Sequence, residues 1–466
     1  MTRRELLGTA ALLPLQAQPA RPNVLLVLSD DHSYPYLGCY GYPIRTPTLD
    51  KFAGDGLRCD RMFTAAPQCV PSRAAIMSGR MPVAIRMGRF SSPLPPEVVT
   101  FPELLREAGY FTGVCRRNYH LDGSGGATSQ EMFDKHNMKT FAPRLDWVDR
   151  NSPRAQTANK MNEFFDKKPA EKPFFLWVNF NDPHHVWDAN AIPEPYDPKT
   201  LPLPKHFPDV PGLREDFAKY LGEITRADDE FKTVLDVLAK RGFGGNTIVL
   251  FMGDNGMALP HGKGSLYDPG LNVPFLVRWP GVVNGGRATT ELLSGEDIAP
   301  TVLDAVGLTP HKQMSGRSFL PLLRGQRYEG RRYIFGQRGP HGSAPMTAST
   351  RSSTFDLSRC VRTPRWKLIY NCTPQMEYSP VDSANDPGWK QVKEAHAAGK
   401  LPAALDKAYF TLPRPVLEFF DLDNDPSELN NLAGKPEHAA MQLELTRALQ
   451  EKMILDYDFL PLPLAN

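Results

Sequence analysis

The amino-acid sequence predicts an α/β fold: a mostly parallel sheet sandwiched by helices, followed by a smaller C-terminal α+β domain. Three observations carry that prediction. Continuous apolar runs of strand length recur through the first two thirds of the chain, amphipathic stretches separate them, and beyond Tyr333 the alternation gives way to short strands around a polar insert. Strands buried on both faces read as unbroken apolar runs, and a helix between successive strands favours parallel pairing.

The first run spans 23–28, and similar runs follow at 111–115, 174–180, 247–252 and 273–277. Between them lie helix candidates at 101–108, 155–166, 214–241 and 296–306, the last closed by Gly307 at the position where helices commonly turn left-handed. A long proline-rich connector covers 192–211. From 333 onward come an arginine-rich loop, a strand at 366–370, a polar insert, a strand at 417–421 and a last helix at 436–453. A soft boundary near 345 therefore divides a larger unit, 21–345, from a smaller one, 346–466.

The 466 residues carry 54 Lys plus Arg against 52 Asp plus Glu, a net charge of +2 that argues against a generic nucleic-acid binder. A mean hydropathy of −0.38 excludes a multi-span membrane protein. Proline is the outlier: 45 residues are about twice the usual share, which with a normal apolar fraction points to ordered loops rather than disorder. Residues 1–20, with Arg3-Arg4 before a short apolar stretch and small residues, read as a twin-arginine export signal. That stretch is too short to span a bilayer, so no membrane span is expected in the mature chain. The six cysteines follow no metal-knuckle spacing; Cys360 and Cys372 leave open either a disulfide after export or two free thiols.

In an open α/β sheet, ligands bind beyond the carboxyl ends of the strands. The first run ends in Ser29-Asp30-Asp31-His32, the second in Arg116-Arg117-Asn118-Tyr119-His120, the third in Asn181-Asp182-Pro183-His184-His185 and the fourth in Gly253-Asp254-Asn255-Gly256. One such end is an ordinary turn or cap, but four together point to a site. Asp30, Asp31, Asp254 and Asn255 make an all-oxygen set suited to calcium or magnesium rather than zinc. The most specific segment is Cys69-Val70-Pro71-Ser72-Arg73, where Pro71 fits a first helical turn, Ala74 to Met77 propagate it and Gly79 closes it. Cys69 then lies at a helix N-terminus, where backbone N–H groups favour an anion. A lone cysteine before a helix is by itself an ordinary small hydrophobe.

The C-x-P-S-R segment and its small-residue helix ending in Gly79-Arg80 resemble the signature of the formylglycine-dependent sulfatases, in the alkaline phosphatase superfamily. The N-terminal Asp-Asp, Asp-Pro-His, Asp-Asn-Gly, the stretch 263–280 and the terminal 420–426 resemble family segments in family order. The resemblance implies an alkaline phosphatase-like fold and a formylglycine made from Cys69 by a maturation enzyme. Its hydrated aldehyde attacks sulfur in line, and its second hydroxyl later expels sulfate. By the same resemblance Asp30, Asp31, Asp254, Asn255 and the modified Cys69 hold Ca2+, and Arg73 steadies the nucleophile. His120 serves the diol, while His184 and Lys263 face the sulfate and the leaving oxygen. The family's Gly-Lys-x-His is replaced here by Arg116-Arg117-Asn118-Tyr119-His120, so Arg117 is expected to take the cationic role.

Phe180 to His184, the 266–270 turn and the stretch from 335 to 368 resemble the branch that contains heparan N-sulfatase (sulfamidase), whose substrates are sulfated saccharides. Asp182 and His341 are candidates to read the sugar, Asp182 through a glucosamine nitrogen. Between Arg338 and Lys367, six cations face one acid, Asp356, and the excess is expected to attract a polyanionic chain. The competing readings are a phosphatase or phosphodiesterase of the same superfamily, against which the C-x-P-S-R motif and Asn255 speak, and a glycan-binding pseudo-enzyme in which Cys69 stays a thiol.

Overall fold

The computed structural model describes residues 21–123, 127–341 and 355–464. The export signal expected at 1–20 lies outside them. No helix among the described residues is long and apolar enough to cross a membrane.

The larger sheet contains nine strands: β1 (Asn23–Ser29), β2 (Leu57–Phe63), β3 (Phe111–Arg116), β4 (Trp147–Val148), β5 (Phe174–Asn179), β6 (Thr247–Gly253), β7 (Asn272–Arg278), β8 (Arg287–Thr289) and β9 (Leu293–Ser294). They are ordered β4-β3-β5-β1-β6-β7-β2-β8, with β9 also on β2. β1 is the axis, parallel to both neighbours, with Val24 opposite Phe175 of β5 and Ile248 of β6. The expected parallel sheet is present from β4 to β6, whereas β7 runs antiparallel to both β6 and β2. β2 lacks an apolar run because its residues Arg58, Asp60 and Arg61 are only half-buried, so its sequence does not mark it as a strand.

The side chains of β1 divide between two cores. Val24, Leu26 and Leu28 join one and Leu25 and Val27 the other, which is the two-face burial that an unbroken apolar run encodes. Helices that flank the sheet include α1 (Pro47–Gly54), α2 (Cys69–Ser78), α3 (Phe101–Glu107), α4 (Ala127–Lys135), α5 (Thr157–Lys167) and α6 (Pro211–Lys240). α2 is buried at every position, as its run of small residues allows, and it ends where Gly79 at φ 66° donates its N–H to Ala75. The helix expected at 296–306 splits into a 3₁₀ turn, Gly295–Asp297, and a helix, Ile298–Ala305, followed by Gly307 at φ 79°.

A second, antiparallel sheet contains β10 (Ile334–Arg338), β11 (Ser358–Arg362), β12 (Trp366–Asn371) and β13 (Leu417–Asp421) in that order. Its first strand precedes position 345, because the chain pairs β10 with β11 across the segment 339–357. One face packs Val361, Leu368 and Phe419 on the terminal helix Ala439–Leu455; the other packs Cys360, Ile369 and Phe420 against Phe63 and Leu271 of the larger unit. The polar insert holds two helices, Pro387–Ala397 and Ala403–Phe410, whose Trp389, Val392, Leu405 and Tyr409 join the core beneath α6. All six cysteines are free thiols, Cys360 and Cys372 included.

Candidate active site

The carboxyl ends of β1, β3, β5 and β6 and the N-terminus of α2 meet at one place. β1 delivers Asp30 and Asp31, and β6 delivers Asp254 and Asn255, all fully buried. Asp31 takes a left-handed backbone (φ 64°), which a short polar side chain tolerates, and its N–H donates to Asp254 Oδ1 at 3.0 Å. Cys69 Sγ stands 3.4 Å from Asp30 Oδ1 and 3.7 Å from Asp31 Oδ1. Donor atoms of Asp30, Asp31, Cys69 and His184 all lie within 4.8 Å of one another.

Arg73, one helical turn after Cys69 and fully buried, locks the carboxylates. Its Nε donates to Asp254 Oδ2 at 2.9 Å, its Nη2 to Asp30 Oδ2 at 3.0 Å and its Nη1 to the Asn118 carbonyl at 2.7 Å. Arg117 pairs with Asp30 and donates to Asn181 Oδ1. Burial works against the Asp30 charge, but Arg117 and Arg73 outweigh it and hold that carboxyl well below the usual range. Asp254 moves the other way, pushed up to about 7 by burial and then by the Asp30 charge.

Asn255 Nδ2 donates to Asp31 Oδ1 at 2.8 Å, and its Oδ1 is buried without a hydrogen-bond partner. A buried amide oxygen left unpaired costs stability unless something accepts its lone pair. Three buried carboxylates beside such an oxygen fit a hard divalent cation. His184 does not join that set as a ligand: its Nδ1 is taken by the His185 carbonyl, which assigns the proton there, and its Nε2 lone pair faces Lys263 Nζ at 3.3 Å. Burial, then the Lys263 charge, lowers the His184 pKa, so this imidazole is neutral while Lys263 carries the proton. Burial opposes the lysine charge too, yet Asp31 at 3.0 Å, Cys69 and Asp382 at 2.7 Å raise its pKa well above the ordinary value.

The Lys263 loop is built from close backbone approaches. A Cβ on Gly262 would lie 2.0 Å from the Met257 carbonyl, and Gly264 at φ 77° donates its N–H to the Pro67 carbonyl, two residues before Cys69. His120, also left-handed (φ 66°), has its N–H capped by Asn118 Oδ1 at 3.0 Å, and its Nδ1 is buried and unpartnered. Burial, then Arg73, drives its pKa well below the ordinary value. Phe90 packs against both His120 and His341. Burial, then the Asp30 charge, pushes the Cys69 thiol well above its normal range, so an unmodified Cys69 is a poor thiolate nucleophile here.

Cys69, Arg73, Arg117, His120, His184, Lys263, Asp30, Asp31, Asp254 and Asn255 thus come together as expected, and His341 lies beside them. Two expectations are corrected. Asp182 is not open to a sugar, because Arg226 holds both its oxygens, at 2.7 and 2.9 Å. The basic stretch is not an open cationic patch either: Arg338 pairs with Asp356, Arg359 with Asp458, Arg362 with Asp268, Arg365 with Asp421 and Lys367 with Asp268 and Glu428. Arg351 lies outside the described residues. Sequence reasoning missed Asn118, although it stands within a segment already singled out, and Asp382, which no motif marks.

Residues 22–308 match the family model described as Sulfatase, and 260–414 match that of N-sulphoglucosamine sulphohydrolase, C-terminal. An ulvan-active sulfatase of Formosa agariphila is 29% identical over 490 residues, covering 92% of this chain and 74% of that protein. The N-sulphoglucosamine sulphohydrolase of Homo sapiens is 27% identical over 94% of this chain and 91% of its own. Solved structures share the fold, two of them as follows. A protein in complex with its substrate D-glucosamine-2-N,6-O-disulfate superposes with a TM-score of 0.68 at 19% identity, over 94% of this chain and 99% of that one. The phosphonate monoester hydrolase of Agrobacterium radiobacter gives a TM-score of 0.71 at 20% identity, over 94% and 96%.

Proposed function

The chain belongs to the sulfatase family and is a sulfate-hydrolysing enzyme of it; from that premise we propose that it is an exported, calcium-dependent sulfatase acting on a sulfated saccharide through a formylglycine at position 69. The observation that carries this reading is the placement of Cys69 at the N-terminus of α2, against Asp30 and Asp31 and in the same pocket as the unpartnered Asn255 Oδ1.

Asp30, Asp31, Asp254 and Asn255 would hold the calcium, which supplies a charge that orients sulfate oxygens and offsets their developing negative charge. A formylglycine at position 69 would supply a hydrated aldehyde as nucleophile, in place of a thiol that burial, and then the neighbouring carboxylates, keep protonated. Arg73 fixes the carboxylates on either side of that position, and Arg117 adds the cation that the replaced lysine would have given. His120, which burial keeps neutral and whose Nδ1 has no partner, is assigned the role of taking a proton from the nucleophile. Lys263 donates its proton to the leaving oxygen or nitrogen as the bond to sulfur breaks, and neutral His184 at 3.3 Å steadies the ammonium. Both sulfate esters and sulfamates leave an atom that needs that proton. The match of 260–414 to the N-sulphoglucosamine sulphohydrolase model and the human relative support the sulfamate branch, and the Formosa relative supports polysaccharide esters.

Mass spectrometry of the peptide containing Cys69 tests the reading. Conversion to formylglycine lowers its mass by ~18 Da, by atom counting of the oxidation. An unmodified thiol in active enzyme, or full turnover by Cys69→Ser, overturns the aldehyde mechanism. Metal analysis that finds zinc instead of calcium would favour the phosphodiesterase reading, and absence of sulfate release from N-sulfoglucosamine removes the sulfamidase branch. Export rests on Arg3-Arg4; retention of an Arg3→Lys/Arg4→Lys chain in the cytoplasm is the expected result.

A further inference from the structure

Asp382 enters the site from the insert after β12, and none of the roles assigned so far uses it. Its Oδ2 accepts from Lys263 Nζ at 2.7 Å, and its Oδ1 lies 3.4 Å from His341 Nε2. Asp31 and Asp382 stand on either side of the Lys263–His184 pair, with His184 Nε2 3.8 Å from the first and 4.0 Å from the second. Asp31 is fully enclosed among the carboxylates, whereas Asp382 keeps 27% of its side chain accessible. Each carboxylate oxygen accepts more than one hydrogen bond, so Asp382 has acceptor capacity left for a donor arriving from solvent.

We propose that Asp382 is a specificity-determining residue: it accepts a hydrogen bond from a hydroxyl or amine beside the sulfated position of the sugar, and it disfavours substrates that carry a second sulfate or a carboxylate there. This rests on the sulfatase reading above. If the leaving atom meets Lys263 and His184, its neighbouring substituents on the ring come within reach of the carboxylate flanking that pair on the open side. Burial opposes the Asp382 charge, but Lys263 and His341 hold its carboxyl well below the usual range, so it meets substrate as an anion. A second anion beside it is repelled. The described cations between 338 and 367 offer no relief, each being paired with an acid, Arg362 and Lys367 both with Asp268 and Lys367 also with Glu428.

The test compares kcat/KM for a monosulfated saccharide with a free neighbouring hydroxyl or amine and for its vicinally disulfated counterpart, in the matured, calcium-loaded enzyme. Wild type is expected to favour the monosulfated sugar by at least about ten-fold, the lower end of what one like-charge contact costs at a partly exposed site. In Asp382→Asn, which keeps an acceptor but loses the charge, that ratio is expected to fall towards one. A residue that merely holds Lys263 in place would lower both substrates together, and an unchanged ratio in the variant overturns the proposal. So does wild-type enzyme without the preference, a result that needs no variant to fold. If wild type releases sulfate from neither sugar nor from a simple aryl sulfate, the sulfatase reading itself falls and takes this proposal with it. Turnover without selectivity removes only the role of Asp382.

Discussion

Arg73 joins the ends of β1 and β6 and the loop after β3 with one planar cation, using a different nitrogen for Asp254, Asp30 and the Asn118 carbonyl. Lysine carries the same charge but cannot fork. Arg73→Lys is therefore expected to stay folded and to lose about 100-fold in kcat, because the carboxylates it spaces shift relative to the nucleophile; turnover within a few-fold of wild type would refute this. Asn255 makes a second residue-level case. Asn255→Leu keeps the branched shape, though it is bulkier, and removes the unpartnered Oδ1 together with the Nδ2 donor to Asp31. The expected outcome is weaker calcium binding by ten-fold or more, read by titrating the chelated protein, on the scale of losing one designed ligand contact. Both residues are legible in the sequence because each follows a distinctive local pattern. Asp382 is not, since an aspartate in a polar insert looks like any solvated one until the fold brings it to Lys263.

At the scale of an element, α6 governs the loop that carries His184. Arg226 on its inner face binds Asp182 before His184 and Asp188 after it, and Glu223 one turn earlier accepts from Arg226 and from the Asp188 N–H. The Asp182 that the sequence suggested as a sugar reader is thus an anchor for the loop. Burial, then the Asp182 charge, pushes the Glu223 carboxyl up to about 8, against an ordinary 4.5. Between those values the folded protein binds more protons than the unfolded chain, so this group's contribution to stability declines as pH rises from about 4.5 to about 8. Glu223→Gln removes that titration. Its stability relative to wild type should increase between pH 5 and pH 8 in paired denaturation curves, and parallel pH profiles would show that Glu223 is ionised throughout. The existence and span of α6 were legible from its 3.6-residue periodicity, which predicted 214–241 against the observed Pro211–Lys240. Its service to the His184 loop was not, because ion pairs across 38 to 44 residues leave no periodic trace.

Across the whole molecule, the smaller sheet supplies one wall of the site, with His341 just after β10 and Asp382 after β12. Two of its cations hold the two units together, Arg362 and Lys367 reaching Asp268 of the larger unit, while Arg359 pairs within the smaller unit with Asp458 beyond the terminal helix. A polyanionic substrate therefore meets little unpaired positive field from this stretch. The expected consequence is a shallow salt dependence of kcat/KM on a sulfated polysaccharide; a steep fall between 50 and 200 mM salt, the range over which steering by free charge is screened, would contradict it. Calcium held as proposed should also stabilise the entire fold, since Asp30 and Asp31 end β1 and Asp254 and Asn255 follow β6, its neighbour at the centre of the sheet. A metal present at about 100 times its Kd adds about 2.7 kcal/mol. Chelation is expected to lower Tm together with activity, and an unchanged Tm would argue against a metal held by Asp30, Asp31, Asp254 and Asn255.

The sequence by itself determined the parallel core, the helix that starts at Cys69 and the polar residues at four strand ends. The reason is physical: a strand buried on both faces must be apolar throughout, and the residue after it emerges at the one edge where such strands end together. Only the tertiary structure decided which charges are spent on one another. Arg359 and Asp458, Lys367 and Asp268, and Lys263 and Asp382 are separated by 99, 99 and 119 positions. Pairing at that range depends on where the chain returns in space, so composition counted a cationic stretch where the folded protein has a neutralised seam, and gave no sign of the aspartate that stands beside Lys263.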